Sequence, residues 1–369
     1  MLRKRLSAIM AALLLLSSAG CVQQKDDEVK TVGLAMPSKA LERWNRDGEY
    51  LKQVFESEGY NVELKYSDNN IDQQINDLQV LIADDVDVLI VAAVDGATLF
   101  RTLEDAKIKN IPVIAYDRLI LNTDTVDCYI SFDNFKVGEL QAQFILDSLS
   151  PDTSDRPLNI ELVSGDTADN NARFFYNGFM SVMEPYLESG RFVIPSNKIT
   201  FEQTATPQWS TVKAYENMQN TLASYYAGGT PLDAVHCASD CLTVGVTQAI
   251  ASDYTGKTPV VTGQDGDIAA LRDIVEGQQS MTIYKNVRDE ANVTVEVAKA
   301  ILEEEDIDEE LIEEFEVPCA FDTDSYDNGV KKVPSYLLTP NVITLENLDL
   351  LTEIGPYEWD EDHRYLVEK

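Results

Sequence analysis

Polar or aromatic side chains follow the end of nearly every short apolar run in this sequence. The candidate ligand-binding residues are Arg43, Trp44, Asp117, Arg118, Asp169, Asn171, Trp209, Ser239, Asp265 and Lys285. Taken singly, an Asp or Ser after a strand often caps a helix, and a tryptophan can belong to the core. Taken together, the carboxylates, amides and cations can satisfy the hydroxyl groups of a sugar, which both donate and accept hydrogen bonds. The indoles can stack on the apolar C–H faces of its ring. The set therefore indicates a neutral sugar.

The charges in this set need not serve an ionic ligand. We expect Asp117 to pair with Arg118 and Asp265 to pair with Lys285 around a neutral molecule. The whole chain has 29 basic and 64 acidic residues among 369, a net charge of −35. Such a surface repels polyphosphate and anionic lipid, so nucleic acid and membrane surfaces are excluded as direct partners.

Strands and helices alternate along the chain. Apolar runs that predict buried strands lie at 32–36, 88–94, 112–116, 158–163, 233–238, 258–262 and 280–284. Helices are predicted at 41–58, 71–83, 97–109, 135–149, 171–189, 209–226, 240–252, 266–276 and 287–304. This alternation predicts two parallel sheets built of right-handed βαβ units, one from the chain before about residue 134 and one from the chain after it. Because single cores stop growing at roughly 250–300 residues, we expect two α/β lobes, with ligands beyond the carboxyl ends of their strands.

The N-terminus is typical of an export signal. Three cations among the first five residues precede an apolar run at 6–16, which is too short to span a membrane, and small residues lead to Cys21. Residues 1–20 are predicted to be a lipoprotein signal peptide, Cys21 the lipidated residue and 21–30 a tether. The mature protein would carry a charge of 26 − 64 = −38 and hang outside the cell membrane by its lipid.

Cysteines and acidic clusters leave some alternatives open. Besides Cys21 the chain has Cys128, Cys237, Cys241 and Cys319. A Cys237–Cys241 disulfide, a metal site beside His236 and buried free thiols are all compatible with the sequence, although too few further ligands are nearby for a metal. The acidic stretch 303–316 has no calcium-loop spacing or turn glycine and is read as a solvated face. No cofactor or metal is predicted.

Several motifs resemble the periplasmic D-xylose-binding proteins and the multiple-monosaccharide-binding proteins of ABC importers. They are Glu42-Arg43-Trp44, the segments 115–120, 129–134 and 137–141, Asp169–Ala172, Gly263-Gln264-Asp265, Tyr284-Lys285 and the segments 328–330 and 333–340. Their order and spacing extend the resemblance from about residue 31 to 345.

The resemblance implies a type I periplasmic-binding-protein fold, with two doubly wound parallel-sheet lobes joined by three crossovers. It places the crossovers near 134–136, 286–288 and 334–340. Lobe one would comprise 31–135 plus 287–338, and lobe two 136–286 plus 339–369. Trp44 and Trp209 would sandwich the sugar ring, and the polar candidates would hold its hydroxyls. Ser239 stands where xylose binders carry asparagine, which argues for a broader aldose specificity.

Three functional hypotheses remain. The first is a non-enzymatic, monomeric receptor that delivers an aldopyranose such as xylose, glucose or galactose to an ABC permease. The second is a sensor of the same fold that reports occupancy to a chemoreceptor or histidine kinase. The third, an exported glycosidase using Asp117 and Asp265, is disfavoured because Arg118 and Lys285 would lower the pKa of a general acid.

Overall fold

The computed structural model describes residues 29–369, so the predicted signal peptide, Cys21 and most of the tether lie outside the described residues. The chain forms fifteen strands within this range. They are β1 (Thr31–Met36), β2 (Asn61–Tyr66), β3 (Val88–Val91), β4 (Val113–Tyr116), β5 (Val126–Phe132), β6 (Leu158–Val163), β7 (Phe192–Val193), β8 (Ala234–Cys237), β9 (Val260–Val261), β10 (Met281–Tyr284), β11 (Cys319–Asp322), β12 (Ser335–Leu338), β13 (Asn341–Thr344), β14 (Tyr357–Trp359) and β15 (Leu366–Glu368).

The α-helices of the described residues fill the intervals between these strands. They are α1 (Glu42–Ser57), α2 (Ile71–Ala83), α3 (Phe100–Ile108), α4 (Asn134–Leu149), α5 (Asn170–Glu188), α6 (Phe201–Thr204), α7 (Thr211–Thr221), α8 (Asp240–Asp253), α9 (Ile268–Glu276), α10 (Val287–Leu302) and α11 (Leu350–Ile354). Side-chain caps fix where several helices begin. Asn70, Asp133 and Asp169 accept hydrogen bonds from backbone N–H groups in the first turns of α2, α4 and α5.

Two sheets organise the molecule. The larger has seven strands in the order β11-β12-β5-β4-β3-β1-β2, all parallel except β11. The smaller has four parallel strands in the order β7-β6-β8-β9, and β10 pairs with β13 in a separate antiparallel ribbon. Central strands such as β3 and β4 are buried throughout, because helices cover both faces of a parallel sheet. We call the part of the molecule built on the seven-stranded sheet the large-sheet lobe and the part built on the four-stranded sheet the small-sheet lobe.

The chain passes between the two sheets at three places. After β5 it enters α4, which packs on α5 and β8 of the small-sheet lobe, and after β10 it enters α10, which packs on α1 and β5. The third passage is the two residues between β12 and β13. These passages agree with the type I fold implied by the sequence, whereas the exact lobe boundaries stay a prediction.

Two glycines allow α4 and α5 to approach closely. A Cβ atom at Gly138 would lie 2.0 Å from the Phe175 carbonyl oxygen, and one at Gly178 would lie 1.9 Å from the Phe135 carbonyl oxygen. Neither position can carry a side chain without moving a backbone, so these helices are held in one arrangement beside the cleft. Over residues 29–369, none of the helices is both long and apolar enough to span a bilayer.

Candidate functional site

One cavity is lined by residues of both lobes, and its volume, including the space at its opening, is about 500 Å³. All ten candidate residues line it: Arg43, Trp44, Asp117, Arg118, Asp169, Asn171, Trp209, Ser239, Asp265 and Lys285. Six further lining residues were not among the candidates: Leu41, Glu42, Phe175, Cys241, Gln264 and Asp267. The structure thus brings the candidates together, and their part in ligand binding stays a prediction.

Asp117 is held rigidly at the end of β4. Its backbone is in the left-handed region, at a φ of 54°, and its N–H donates to the Ile130 carbonyl at 2.7 Å. Its own carbonyl accepts from the Tyr129 hydroxyl at 2.7 Å, the Ser131 hydroxyl at 3.1 Å and Asn171 Nδ2 at 2.6 Å. These bonds leave the carboxylate of Asp117 in one place within the cavity wall.

The Arg43 guanidinium lies at the centre of a buried ion cluster. Its Nη2 is 2.8 Å from both Asp117 and Glu290, its Nε is 3.1 Å from Asp47, and its Nη1 is 3.4 Å from Asp265. Burial opposes the charge on Arg43, but the four carboxylates outweigh it and raise the pKa of the guanidinium. Arg43 is therefore a fixed hydrogen-bond donor at neutral pH.

Lys285 follows β10 and joins the same cluster. Its ammonium group is 3.3 Å from Asp117 and 3.7 Å from Asp265, so the expected Asp265–Lys285 pair is present. Burial favours the neutral form of Asp117, but the charges of Arg43, Lys285 and Arg118 outweigh it and lower the pKa of Asp117 to about 2. Asp117 is consequently a hydrogen-bond acceptor only, and not a general acid.

The prediction that Asp117 pairs with Arg118 is wrong. The Arg118 Nε lies 3.0 Å from Asp169 Oδ2, an ion pair rather than an aligned hydrogen bond, and its Nη1 donates to the Ala93 carbonyl at 2.9 Å. The left-handed turn at Asp117 explains the difference, because it directs the two consecutive side chains to different neighbours. Arg118 thereby joins the ends of β3 and β4 to the start of α5.

The two tryptophans line the cavity on opposite lobes. The Trp44 ring lies under Arg43 and Arg118, whose guanidinium carbons are 5.2 and 4.9 Å from its centre. The Trp209 ring contacts Phe175 edge-on at 6.5 Å between centres and packs against the backbone of Gly165. Both indoles are largely buried, which fixes their orientation, and their sandwiching of a sugar ring stays a prediction.

A second buried network supports the loop after β9. The Asp240 carboxylate accepts from Gln279 Nε2 at 2.8 Å, the Thr282 hydroxyl at 2.9 Å and the Asp267 N–H at 3.0 Å. Burial, together with the charge of Asp265 among others, outweighs the opposing charge of Arg46 and raises the pKa of Asp267 to about 7. The Asp267 carboxyl therefore titrates near neutral pH at the cavity wall.

The histidine and cysteines take structural positions. His236 is fully buried, stacks on Phe179 at 3.9 Å and bonds to Gln141, and burial lowers its pKa to about 3. In the part of the chain that the structure describes, the four cysteines that the sequence left open are free thiols. Residues 29–369 contain no group of three His, Cys, Asp or Glu side chains arranged to hold a metal ion.

Residues 32–306 match the family model of the periplasmic binding protein domain. The match covers most of the chain, which therefore belongs to this family and has its type I fold, as the resemblance in the sequence implied.

Among curated relatives, the chain is 41% identical over 336 residues to the multiple sugar-binding periplasmic receptor ChvE of Rhizobium radiobacter, covering 90% of this chain and 92% of that protein. It is 34% identical to the D-xylose-binding periplasmic protein of Escherichia coli, covering 87% and 88%. A crystal structure of a Clostridium phytofermentans ABC transporter solute-binding protein with bound β-D-glucose superposes with a TM-score of 0.84 at 42% identity, covering 90% of this chain and 99% of that one.

Proposed function

We propose that this protein is an extracytoplasmic receptor that captures a monosaccharide between its lobes and delivers it to an ABC permease. The observation that carries the proposal is a cavity between the lobes in which two indoles, three cations and several carboxylates are held in fixed positions. The relatives that bind several sugars, D-xylose or β-D-glucose support the same ligand class.

The charge of the cavity favours a neutral sugar over a sugar acid or phosphate. The lining contains three cations, Arg43, Arg118 and Lys285, but five carboxyl groups, those of Glu42, Asp117, Asp169, Asp265 and Asp267. An anionic ligand would meet this acidic excess, whereas hydroxyl groups can accept from the cations and donate to the carboxylates.

Binding would shift the lobes toward their closed arrangement. A sugar that contacts Asp117 of the large-sheet lobe and Trp209 of the small-sheet lobe gains its full set of contacts only when the cleft is closed, so it stabilises that state. The permease then recognises the closed shape of one monomer. No catalytic step is part of the proposal, because Asp117 stays ionised and lacks the raised pKa of a general acid.

Titration calorimetry of residues 22–369 against xylose, glucose, galactose, arabinose, fucose and ribose tests the ligand class. We expect tight binding of several aldopyranoses and none of glucuronate or glucose 6-phosphate. Absence of binding to all six sugars would contradict the proposal.

We also propose that Cys21 carries the lipid that anchors the receptor outside the membrane. The sequence Ala19-Gly20-Cys21 after an apolar run supports this proposal. Expression of the full chain and of Cys21→Ser, followed by detergent-phase partitioning, tests it. The native chain should enter the detergent phase and Cys21→Ser should not.

A further inference from the structure

A C-terminal hairpin, residues 355–369, packs on the small-sheet lobe. Its strands β14 and β15 pair with each other, and Tyr357 and Leu366 are buried together with Leu271 and Ile274 of α9. The hairpin lies beyond residues 32–306, the range that matches the family model, so the family match assigns it no role. What the hairpin contributes therefore follows from its contacts alone.

The Tyr357 side chain links the two lobes. It is fully buried, and its hydroxyl donates to the Gly266 carbonyl of the loop after β9 at 2.7 Å. The same hydroxyl accepts from Nη1 of Arg46, on α1 of the large-sheet lobe, at 2.7 Å. Burial raises the pKa of Tyr357, so the hydroxyl keeps the proton that it donates. Glu368 on β15 is 3.6 Å from the same Arg46 nitrogen, so both strands of the hairpin contact this guanidinium.

The loop that Tyr357 supports carries Asp265 into the cavity wall. Asp265 and Gly266 are both in the left-handed region, at φ values of 100° and 69°. A non-glycine residue held there is strained, and it keeps this conformation where its surroundings enforce it. The bond from Tyr357 to the Gly266 carbonyl and the bond of 3.1 Å from Arg46 Nη2 to the Asp265 carbonyl enforce it here. They fix the Asp265 carboxylate, although neither Tyr357 nor Arg46 lines the cavity.

The two bonds of the Tyr357 hydroxyl respond differently to opening of the cleft. The bond to Gly266 lies within the small-sheet lobe and persists when the lobes separate, whereas the bond to Arg46 crosses between the lobes and must break. Loss of the hydroxyl therefore destabilises the closed state more than the open state. A contact with this property shifts the equilibrium between the two states.

We propose that the C-terminal hairpin is a clamp that slows release of the sugar, with Tyr357 as a positioning residue. When the lobes close, the Tyr357 hydroxyl and the Glu368 carboxylate pair with Arg46, and the same hydroxyl fixes the loop of Asp265. The sugar leaves only after these contacts break. The clamp rests on the proposed function and gives the C-terminal residues a part in it without contact with the ligand.

Tyr357→Phe removes the hydroxyl and leaves the ring. With whichever of the six calorimetry sugars binds most tightly, we expect about tenfold weaker binding, because a hydrogen bond to a charged group is lost. Stopped-flow tryptophan fluorescence should place this loss in a faster dissociation rate, with an association rate changed by less than about twofold. Tyr365→Phe is the matched control: its hydroxyl, on the same hairpin, bonds to Glu276 of the same lobe, and its loss should change neither rate.

A double-mutant cycle separates the clamp from a merely structural role. In the Arg46→Leu background, Tyr357→Phe should weaken binding by less than about threefold, because the partner of the hydroxyl is already gone. Glu368→Lys provides a second test should the phenylalanine variant fail to fold. It places a cation beside Arg46 at an exposed site and should speed release by about threefold at low salt. Glu358→Lys makes the same change in charge at an exposed site on β14 and should leave release unchanged.

Equal dissociation rates for the native protein and Tyr357→Phe would overturn the clamp and leave the proposed function standing. Equal weakening by Tyr357→Phe with and without Arg46 would do the same, because it would mark the hydroxyl as structural. If Tyr357→Phe does not fold, unchanged release in Glu368→Lys has this meaning. A native protein that binds none of the six sugars would instead contradict the proposed function, and the clamp with it.

Discussion

Arg43 of the large-sheet lobe lies 3.4 Å from Asp265 of the small-sheet lobe, an ion pair made directly across the cleft. Two further contacts accompany it: Arg46 Nη2 donates to the Asp265 carbonyl at 3.1 Å, and Glu42 accepts from the Ile268 N–H at 3.2 Å. Part of the free energy that stabilises the closed arrangement therefore comes from contacts between the two lobes of the chain itself. The ligand needs to supply only the remainder.

Arg46 offers a test of this closure because it does not line the cavity. It contacts Asp265 and Tyr357, so Arg46→Leu should favour the open arrangement and weaken sugar binding by about tenfold or more, given that bonds to charged groups are worth ~1.5–3 kcal/mol. Calorimetry gives the affinity, and small-angle scattering at saturating sugar should still report the closed radius. Arg101→Leu, at an exposed site on α3, is the control; equal affinities of the two variants would contradict the prediction.

Trp209 should contribute strongly to sugar affinity. Its indole is 8% exposed and lines the cavity, so Trp209→Ala removes a flat apolar surface that a pyranose would cover. We expect a loss of about 1–3 kcal/mol in binding free energy, measured by calorimetry with the best-bound sugar. Unchanged affinity in a folded variant would remove Trp209 from the ligand site.

Gly165 should control the position of the same indole. A Cβ atom at this glycine would lie 2.0 Å from Trp209 Cη2, so Gly165→Ala must displace the ring. We expect sugar affinity to fall at least tenfold, since a stacking surface moved by about 1 Å no longer fits. Gly228→Ala is the matched control, because a Cβ atom there has nothing within 4 Å. Equal affinities of the two alanine variants would show that the ring is not held in this way.

Stability should fall as the pH rises from about 4 to about 7. Burial raises the pKa of Asp267 to about 7, and it also raises the pKa values of Asp240 and Glu290. The folded state then binds more protons than the unfolded state in this window, so the free energy of unfolding decreases with pH. Asp117, whose pKa is lowered to about 2, has the opposite sign: its stabilising contribution is lost as the pH falls below about 4.

Thermal unfolding at pH 5.5 and pH 8 measures this dependence, and we expect the higher midpoint at pH 5.5. Asp267→Asn should reduce the difference, because it removes one of the responsible carboxyl groups. Asp362→Asn makes the same change in net charge at an exposed site and should leave the difference nearly intact. Identical pH profiles for the two variants would refute the assignment to Asp267.

Most of the buried elements were predictable because their patterns are simple, although the buried strand β5 was not among the predicted strands. The helices predicted at 71–83 and 287–304 are found as α2 and α10, and the strand predicted at 158–163 is β6 with the same bounds. The edge strand β2 was missed, since Val62, Leu64 and Tyr66 alternate with polar residues and do not form an apolar run. The C-terminal strands escaped for a different reason: their pairing is decided by distant partners, as β12 with β5.

The candidate site was predictable to the extent that its residues follow strands. Asp117, Asp169 and Asp265 each come shortly after a β-strand, where parallel strands place their ligands. The pairing of Arg118 with Asp169 was not predictable, because it depends on the left-handed turn at Asp117. Gln264 stands beside Asp265 in the sequence, but only the three-dimensional structure shows that its side-chain oxygen has no hydrogen-bond partner among residues 29–369.

The position of β12 sets an order of events in folding. This strand lies between β11 and β5, and Ser335 pairs with Tyr129 across roughly two hundred residues of intervening chain. The large sheet begins with β1 near the N-terminus, yet it is incomplete until the last part of the chain has been synthesised. Because such distant contacts must form against loop-closure entropy, we expect slow folding and a large sheet that is assembled only after β12 has been synthesised. A polypeptide with this topology keeps its largest sheet unassembled while it is being synthesised, and so can still pass through a narrow channel.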